Sequence, residues 1–203
     1  MIMKNTTRLT VLTLAVFLLS ACSGVMDSKR DARQTYLLTP AISAGDAGAV
    51  ANAPSLSLEV SVVPGLDTDR IMALSPDARL NPYANARWPD HLPEVISSLM
   101  KRSLADSGRF SSVENTSRAS GDGWMLTLEV QQFYGIQNSS GETSSVRVAL
   151  AGAIECNGNT APIRLSDSNS VSQERLSAVV AAHQKGLNDV TSQLLQQIDS
   201  ACQ

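Results

Sequence analysis

Leu56, Leu58, Val60 and Val62 alternate with Ser55, Ser57, Glu59 and Ser61. That period of two predicts a half-buried strand, which Pro64-Gly65 ends. Arg70–Leu74 is a candidate short partner for it, and a loop carrying Pro76, Pro82 and Asn85 is expected to lead to Arg87-Trp88-Pro89-Asp90. There the period lengthens. Leu92, Val95, Ile96, Leu99 and Leu104 form one apolar stripe of a helix, with Asp90 suited to the N-cap, Pro93 in the first turn and Gly108 at C′. Phe110 to Val113 reads as a brief strand. Leu126, Leu128 and Val130 alternate along a strand from Trp124 to Tyr134, and Val146, Val148, Leu150, Gly152, Ile154 and Cys156 along the next. The polar stretch 135–143 between them makes an antiparallel hairpin. Its other face, with Thr127, Glu129, Gln131, Arg147 and Glu155, is expected to be wet or covered by a partner. From Ser172 the spacing is helical again, through Leu176, Val180, His183, Leu187, Val190, Leu194, Ile198 and Cys202, with Gly186 weakening the middle. Strands and helices mix without βαβ regularity. The expected class is α+β, a small mostly antiparallel sheet with two amphipathic helices packed on one face.

The N-terminal pattern is of another kind. Lys4 and Arg8 precede a mostly apolar stretch from Leu9 to Leu19, with no acid before Cys22. The stretch is shorter than the ~20 residues that span a bilayer, so it reads as a signal peptide. Its end, Leu19-Ser20-Ala21-Cys22, resembles the lipobox of bacterial lipoproteins, in which the Cys thiol takes a diacylglyceryl group and cleavage leaves an N-terminus for a third, palmitate-like chain. The alternative is an ordinary secretory signal with Cys22 incidental. Three acyl chains exceed the two signals that stable anchoring needs. Ser23 rather than Asp after the Cys favours the outer membrane, by resemblance to enterobacterial sorting. The expected organisation is therefore signal peptide 1–21, lipidated Cys22 and flexible tether 22–34, and a domain over 35–203. The tether's reach is about 20 Å. Tyr36-Leu37-Leu38 would open the domain as a short edge strand with its apolar residues inward, before an Ala- and Gly-rich loop over 40–54.

Composition narrows the function. The chain has 203 residues, 43% hydrophobic and 17% charged, enough for one domain with a real core. A formal charge of −3 without a basic run, and aromatics at only 4%, exclude a nucleic-acid interface. Loss of Lys4 and Arg8 with the signal makes the remainder more acidic. With Cys22 lipidated, Cys156 and Cys202 remain, and both lie in the inward phase of their elements. An oxidising periplasm would allow a disulfide between them, typically worth about 2–4 kcal/mol. Two buried thiols that never meet stay open as the alternative, because phase does not fix the Cα separation. No G-x-S-x-G, no H-E-x-x-H and no Cys/His cluster at metal spacing occurs. His91 sits by a helix start and His183 in an apolar stripe, where a core histidine is commoner than a general base. No catalysis, cofactor or metal is expected.

Several segments line up together: Tyr36-Leu37-Leu38 behind a lipobox, Val62-Val63-Pro64-Gly65-Leu66-Asp67-Thr68-Asp69-Arg70-Ile71, Arg87-Trp88-Pro89-Asp90-His91-Leu92-Pro93, and Leu104-Ala105-Asp106-Ser107-Gly108-Arg109-Phe110. In order and spacing this resembles the ABC-type transport auxiliary lipoproteins, the PqiC-like family. Thr35, where the family often has an aromatic, and Pro89, where it often has Ala, depart from that pattern. The resemblance implies a non-catalytic outer-membrane lipoprotein in intermembrane lipid transport. Its partners would be an MCE-domain protein, which forms a periplasmic tube, and the associated ABC transporter, with the chain docking the tube's distal end and forming a homo-oligomeric ring. Tyr36, Arg70, Arg87 and Trp88 are the candidate partner-binding residues. Each also has a local reading: an edge strand for Tyr36, a turn-stabilising charge for Arg70, local pairing for Arg87 and a helix staple for Trp88. A lipid-carrying barrel and a scaffold for another envelope machine are the competing functions.

Overall fold

The long strand β6 (Trp124–Gln137) organises the sheet because both of its edges are occupied. The computed structural model describes residues 32–42, 52–116, 123–173 and 175–202, so the predicted signal peptide, Cys22 and nearly all of the tether lie outside the described residues. Along one edge β6 runs antiparallel to β7 (Thr143–Cys156), which pairs in turn with β8 (Asn159–Ser170). The other edge is shared end to end by two parallel strands. β2 (Ser55–Val62) covers the first half, from Leu56↔Trp124 to Val62↔Val130, and β3 (Arg70–Leu74) the second, from Met72↔Tyr134 to Leu74↔Ile136. β3 is thus not the partner of β2 but its continuation. The 3-10 turn Pro64–Leu66 steps the chain along the same edge, where Val63 N donates to Val130 O at 3.1 Å.

From this shared edge the sheet branches. β5 (Ser112–Asn115) lies parallel to β2 on one branch. On the other, β4 (Leu80–Arg87) runs antiparallel to β3 and carries β1 (Gln34–Thr35), which is parallel to it. The chain is α+β, with an open mixed sheet of eight strands and two helices among the described residues. Among the described residues its two longest ladders, β6 with β7 and β7 with β8, are antiparallel, although four of the seven pairings are parallel.

Two strands go beyond the sequence expectations, β4 in place of the expected loop and β8 where the pattern assigns no element. β4 holds Pro82 and Asn85, which argue for a turn. Pro82 is exposed, where a missing N–H is harmless, and Asn85 takes φ 54° inside a bulge between the Arg70↔Arg87 and Met72↔Pro82 pairs. β8 is polar along its second half and follows a two-residue turn, Asn157-Gly158, with φ 50° and 77°. Asn-Gly with both residues left-handed is a strong short hairpin signal. β6 also runs to Gln137 rather than stopping at Tyr134, because β3 pairs with it there.

α1 (Leu92–Asp106) buries Leu92, Val95, Ile96, Leu99 and Leu104 together with Met100 and Ser103. Its N-cap is His91 rather than Asp90, whose carboxylate instead accepts from the adjacent His91 N at 2.8 Å. Gly108, with φ 69°, follows the C-cap Ser107 as the left-handed residue that lets the chain leave the helix. α2 (Leu176–Ala201) buries Val179, Ala182, His183, Gly186, Leu187, Val190, Leu194 and Ile198. Gly186 is explained by contact rather than by bending, since a Cβ there would lie 2.7 Å from Val148 Cγ2 on β7. One continuous cluster joins the buried residues of both helices to Leu56, Leu58, Leu126, Leu128, Val148 and Leu165 of the sheet.

Candidate functional site

The motif residues gather where β3, β4 and the start of α1 meet. Trp88 N donates to Asp69 O at 2.7 Å and Leu92 N to Thr68 O at 3.1 Å, so the segment between β2 and β3 grips the start of the helix. Thr68 Oγ1 accepts from Arg70 N at 3.2 Å. Above this backbone lattice lie two charge contacts. His91 donates to the Asp67 carboxylate at 3.0 Å, and Arg87 stands 3.8 Å from Asp69 while its Nε donates to Thr35 Oγ1 at 3.2 Å. The hydrogen bond to Asp67 raises the His91 pKa above its ordinary value. All four side chains are substantially solvated, so these contacts shape the surface more than they stabilise the fold.

Of the four candidate partner residues two, Arg70 and Arg87, share this surface, while the Tyr36 ring packs partly against the core. Arg70 and Arg87 are direct cross-strand neighbours, and Tyr36 N donates to Arg87 O at 2.9 Å. Trp88 does not join them. It is 1% exposed, with its ring edge-on to Phe133 at 5.7 Å and to His183 at 5.4 Å, so it anchors the core beneath β6 rather than meeting a partner. The Tyr36 segment also differs from the expected edge strand. The strand is Gln34–Thr35, just upstream, and of the two leucines only Leu38 is buried, whereas Leu37 is 71% exposed. Leu37, Leu38, Pro89, Asp90 and Glu94 line a shallow cleft of about 230 Å³ beside the charged surface.

Beyond β1 the chain is strapped over both helices by its main chain. Thr39 N donates to Gln184 Oε1 at 2.8 Å, Gln184 Nε2 donates back to Thr39 O at 3.0 Å, and Ala41 N donates to Ser103 Oγ at 2.8 Å. Gln184 lies on α2 and Ser103 on α1. Sequence reasoning missed both residues, because a polar group within or beside an apolar stripe gives no sign of the backbone it will meet.

His183 is fully buried. Its Nδ1–H donates to Val179 O at 2.9 Å, and Nε2 has no hydrogen-bond partner. Burial pushes its pKa down to about 4, against the pull of the Val179 and Phe133 carbonyls, so the imidazole is neutral. Closed in by Trp88 and Phe133, it has no surface open to solvent. Cys156 and Cys202 are joined by a disulfide with Cα atoms 5.7 Å apart, linking the end of β7 to the residue after α2. Among the described residues no group of three or more His, Cys, Asp or Glu could hold a metal ion, and no helix is long and apolar enough to cross a membrane.

The architecture recurs in solved structures. The chain is similar to protein XCC0632 from Xanthomonas campestris, of the family DUF330, with a TM-score of 0.67 at 20% identity, covering 82% of this chain and 99% of that one. A second, uncharacterised protein matches with a TM-score of 0.64 at 14% identity, over 83% and 99% of the two chains. No curated protein matches. Residues 3–49 are similar to a family of unknown function, DUF4223. Residues 36–195 match the model of the ABC-type transport auxiliary lipoprotein component, which takes in nearly every described element from Tyr36 to the last turns of α2. The chain belongs to the family of ABC-type transport auxiliary lipoprotein components.

Proposed function

We propose that this chain is a non-catalytic lipoprotein of the outer membrane that docks the periplasmic tube of an MCE-type intermembrane lipid transport system. Residues 1–21 are its signal peptide, 22–34 carry the lipid on Cys22 and the tether, and 35–203 are the docking domain. The observation that carries the reading is how the domain begins. The family match starts at Tyr36, and the main chain is fastened from Gln34 onward, through β1, Gln184 and Ser103. A body fastened that close to Cys22 leaves a tether of about twelve residues, long enough to hold it clear of lipid headgroups.

Both helices cover one face of the sheet. On the other face Thr127, Glu129, Arg147 and Glu155 are exposed and would meet a partner. Tyr36, Arg70 and Arg87 are the candidate contacts at the strap end, where a tube or a neighbouring subunit of a ring would arrive. In the oxidising periplasm the Cys156–Cys202 bond pins α2 to the sheet.

Replacing Cys22 with Ala tests the reading. The variant is expected to fold, to appear in the soluble periplasmic fraction and to fail to complement a membrane-integrity defect of the deletion strain. Full complementation by the soluble form would sink the docking role. Detergent extracts of the wild type are expected to co-purify an MCE-domain protein, and a cell-wall synthase in its place would favour the scaffold function.

A further inference from the structure

Among the described residues β8 pairs only with β7, and that ladder runs without a bulge from Ser145↔Ser170 to Cys156↔Asn159. A long regular edge of this kind is a template on which another chain can add a strand. Charge does little to guard it, since β8 holds only Arg164 and Asp167 as charged residues.

What covers the edge is a helix. Gln193 Nε2 donates to Ser166 O at 3.2 Å, and Gln193 Oε1 accepts from Ser166 N at 3.3 Å. Gln197 repeats the arrangement on Arg164, with 2.7 Å to the carbonyl and 3.1 Å from the N–H. A primary amide offers one donor and one acceptor side by side, as a peptide group does. The spacing also fits. Four residues of helix advance about 6.0 Å and two residues of strand about 6.6–6.8 Å, so glutamines at i and i+4 reach successive outward-facing residues of β8. The series covers the middle of β8: it leaves Ser168 and Ser170 to one side, where Asp189 stands four residues before Gln193, and to the other it stops where no N–H is left to meet. The next helix position is Ala201, and the next outward residue is Pro162, which has no N–H to satisfy.

We infer that Gln193 and Gln197 make α2 a substitute ninth strand, which keeps the β8 edge from pairing with the β8 edge of a second copy of this chain. The second copy is the fitting occupant because the edge is complementary to itself. An antiparallel pairing about a two-fold axis at Leu165 sets Arg164 opposite Ser166, Ser168 opposite Pro162 and Asp167 opposite Ile163, with no like charges facing.

The test uses the detergent-purified lipoprotein carrying Gln193→Ala and Gln197→Ala, with Gln193→Met and Gln197→Met as the form that preserves side-chain length should the alanine form not fold. Backbone amide exchange at Arg164 and Ser166 is expected to rise about tenfold or more in dilute protein. Light scattering is expected to show a mass above the wild-type assembly that grows with concentration. Adding Arg164→Pro, which removes an outward N–H, is expected to return the mass to the wild-type value. Unchanged exchange means that the glutamines seal nothing. Faster exchange with an unchanged mass, or association that survives Arg164→Pro, means that β8 is not the edge being guarded. Any of these overturns the proposal.

Discussion

β6 and β8 flank the same strand, β7, yet they are held by different means. β6 has main chain on both sides, β7 along its whole length and β2 then β3 along the other edge. β8 has main chain on one side and glutamine side chains on the other. At the β6 side there is no slack. A Cβ added to Gly152 of β7, opposite Leu128, would lie 1.8 Å from the Thr127 carbonyl oxygen and 3.1 Å from Leu128 Cα. The β8 side is joined through flexible side chains that can be shortened while the strand stays paired to β7. The contrast teaches where substitution breaks the fold and where it only uncovers a surface. Backbone against backbone admits no new atom, whereas a side-chain bridge can be removed without moving either element.

The sharpest way to break the comparison is Gly152→Ala. Neither the Thr127 carbonyl nor the Leu128 backbone can step aside without opening the central ladder. The cost is expected to be on the order of 4 kcal/mol, enough to abolish folding in a marginally stable domain. Urea unfolding and expression yield would read it. Gly186→Ala is the control, because its added Cβ meets the Val148 side chain rather than backbone, and a smaller loss is expected. Equal losses at the two glycines would show that backbone approach is not what sets the tolerance.

A second effect lies under β6, where His183 is tilted against Phe133 with ring centroids 4.7 Å apart. Its folded pKa of about 4 is below the ordinary value, so the unfolded chain takes up this proton first as pH falls. The contribution to stability is complete above about pH 6.5 and is lost progressively as pH drops from there through about 4. The full loss is about 3 kcal/mol, taking 1.4 kcal/mol per pKa unit. Urea unfolding at pH 7, 5 and 4 is expected to show a steeper decline for the wild type than for His183→Phe, which keeps a ring in the cavity and has no proton to gain. Parallel declines would contradict this.

The smallest effect belongs to the solvated surface by α1. Asp67→Asn removes the carboxylate that holds the His91 pKa up, so an NMR titration is expected to find it lowered toward the ordinary imidazole value. Unfolding is expected to be nearly unaffected, since both side chains are more than half exposed. A pKa that does not move would assign the shift to another neighbour.

The elements that read clearly from sequence are those whose reason is local. The alternation in β2, β6 and β7 and the stripes of α1 and α2 reflect one buried face per element, and a single chain shows that at once. β4 and β8 were illegible for opposite reasons. In β4 the residues speak for a turn, and only the partner β3 and an outward-facing proline allow a strand. In β8 the polar residues of its second half conceal a strand that exists by pairing with β7, and Asn157-Gly158 was the overlooked sign. At the candidate site, Arg70 and Arg87 are cross-strand neighbours, and Tyr36 meets Arg87 only through its main chain. Trp88 was weighed as an interface anchor and lies in the core, because nothing in Arg-Trp-Pro-Asp tells which way an indole turns.

Sequence alone determined the α+β class, the apolar faces, the family, and the two cysteines set in phase. The family follows from the resemblance of its motifs in order, and the rest from periodicity, which is a property of neighbours along the chain. Tertiary structure alone decided that β2 and β3 lie end to end on β6, that His183 is sealed among aromatic rings, and that glutamines on α2 complete a strand edge. Each of these matches a donor, an acceptor or a space to a group many residues away, so it is set by the approach of whole elements and not by the order of residues within any one of them.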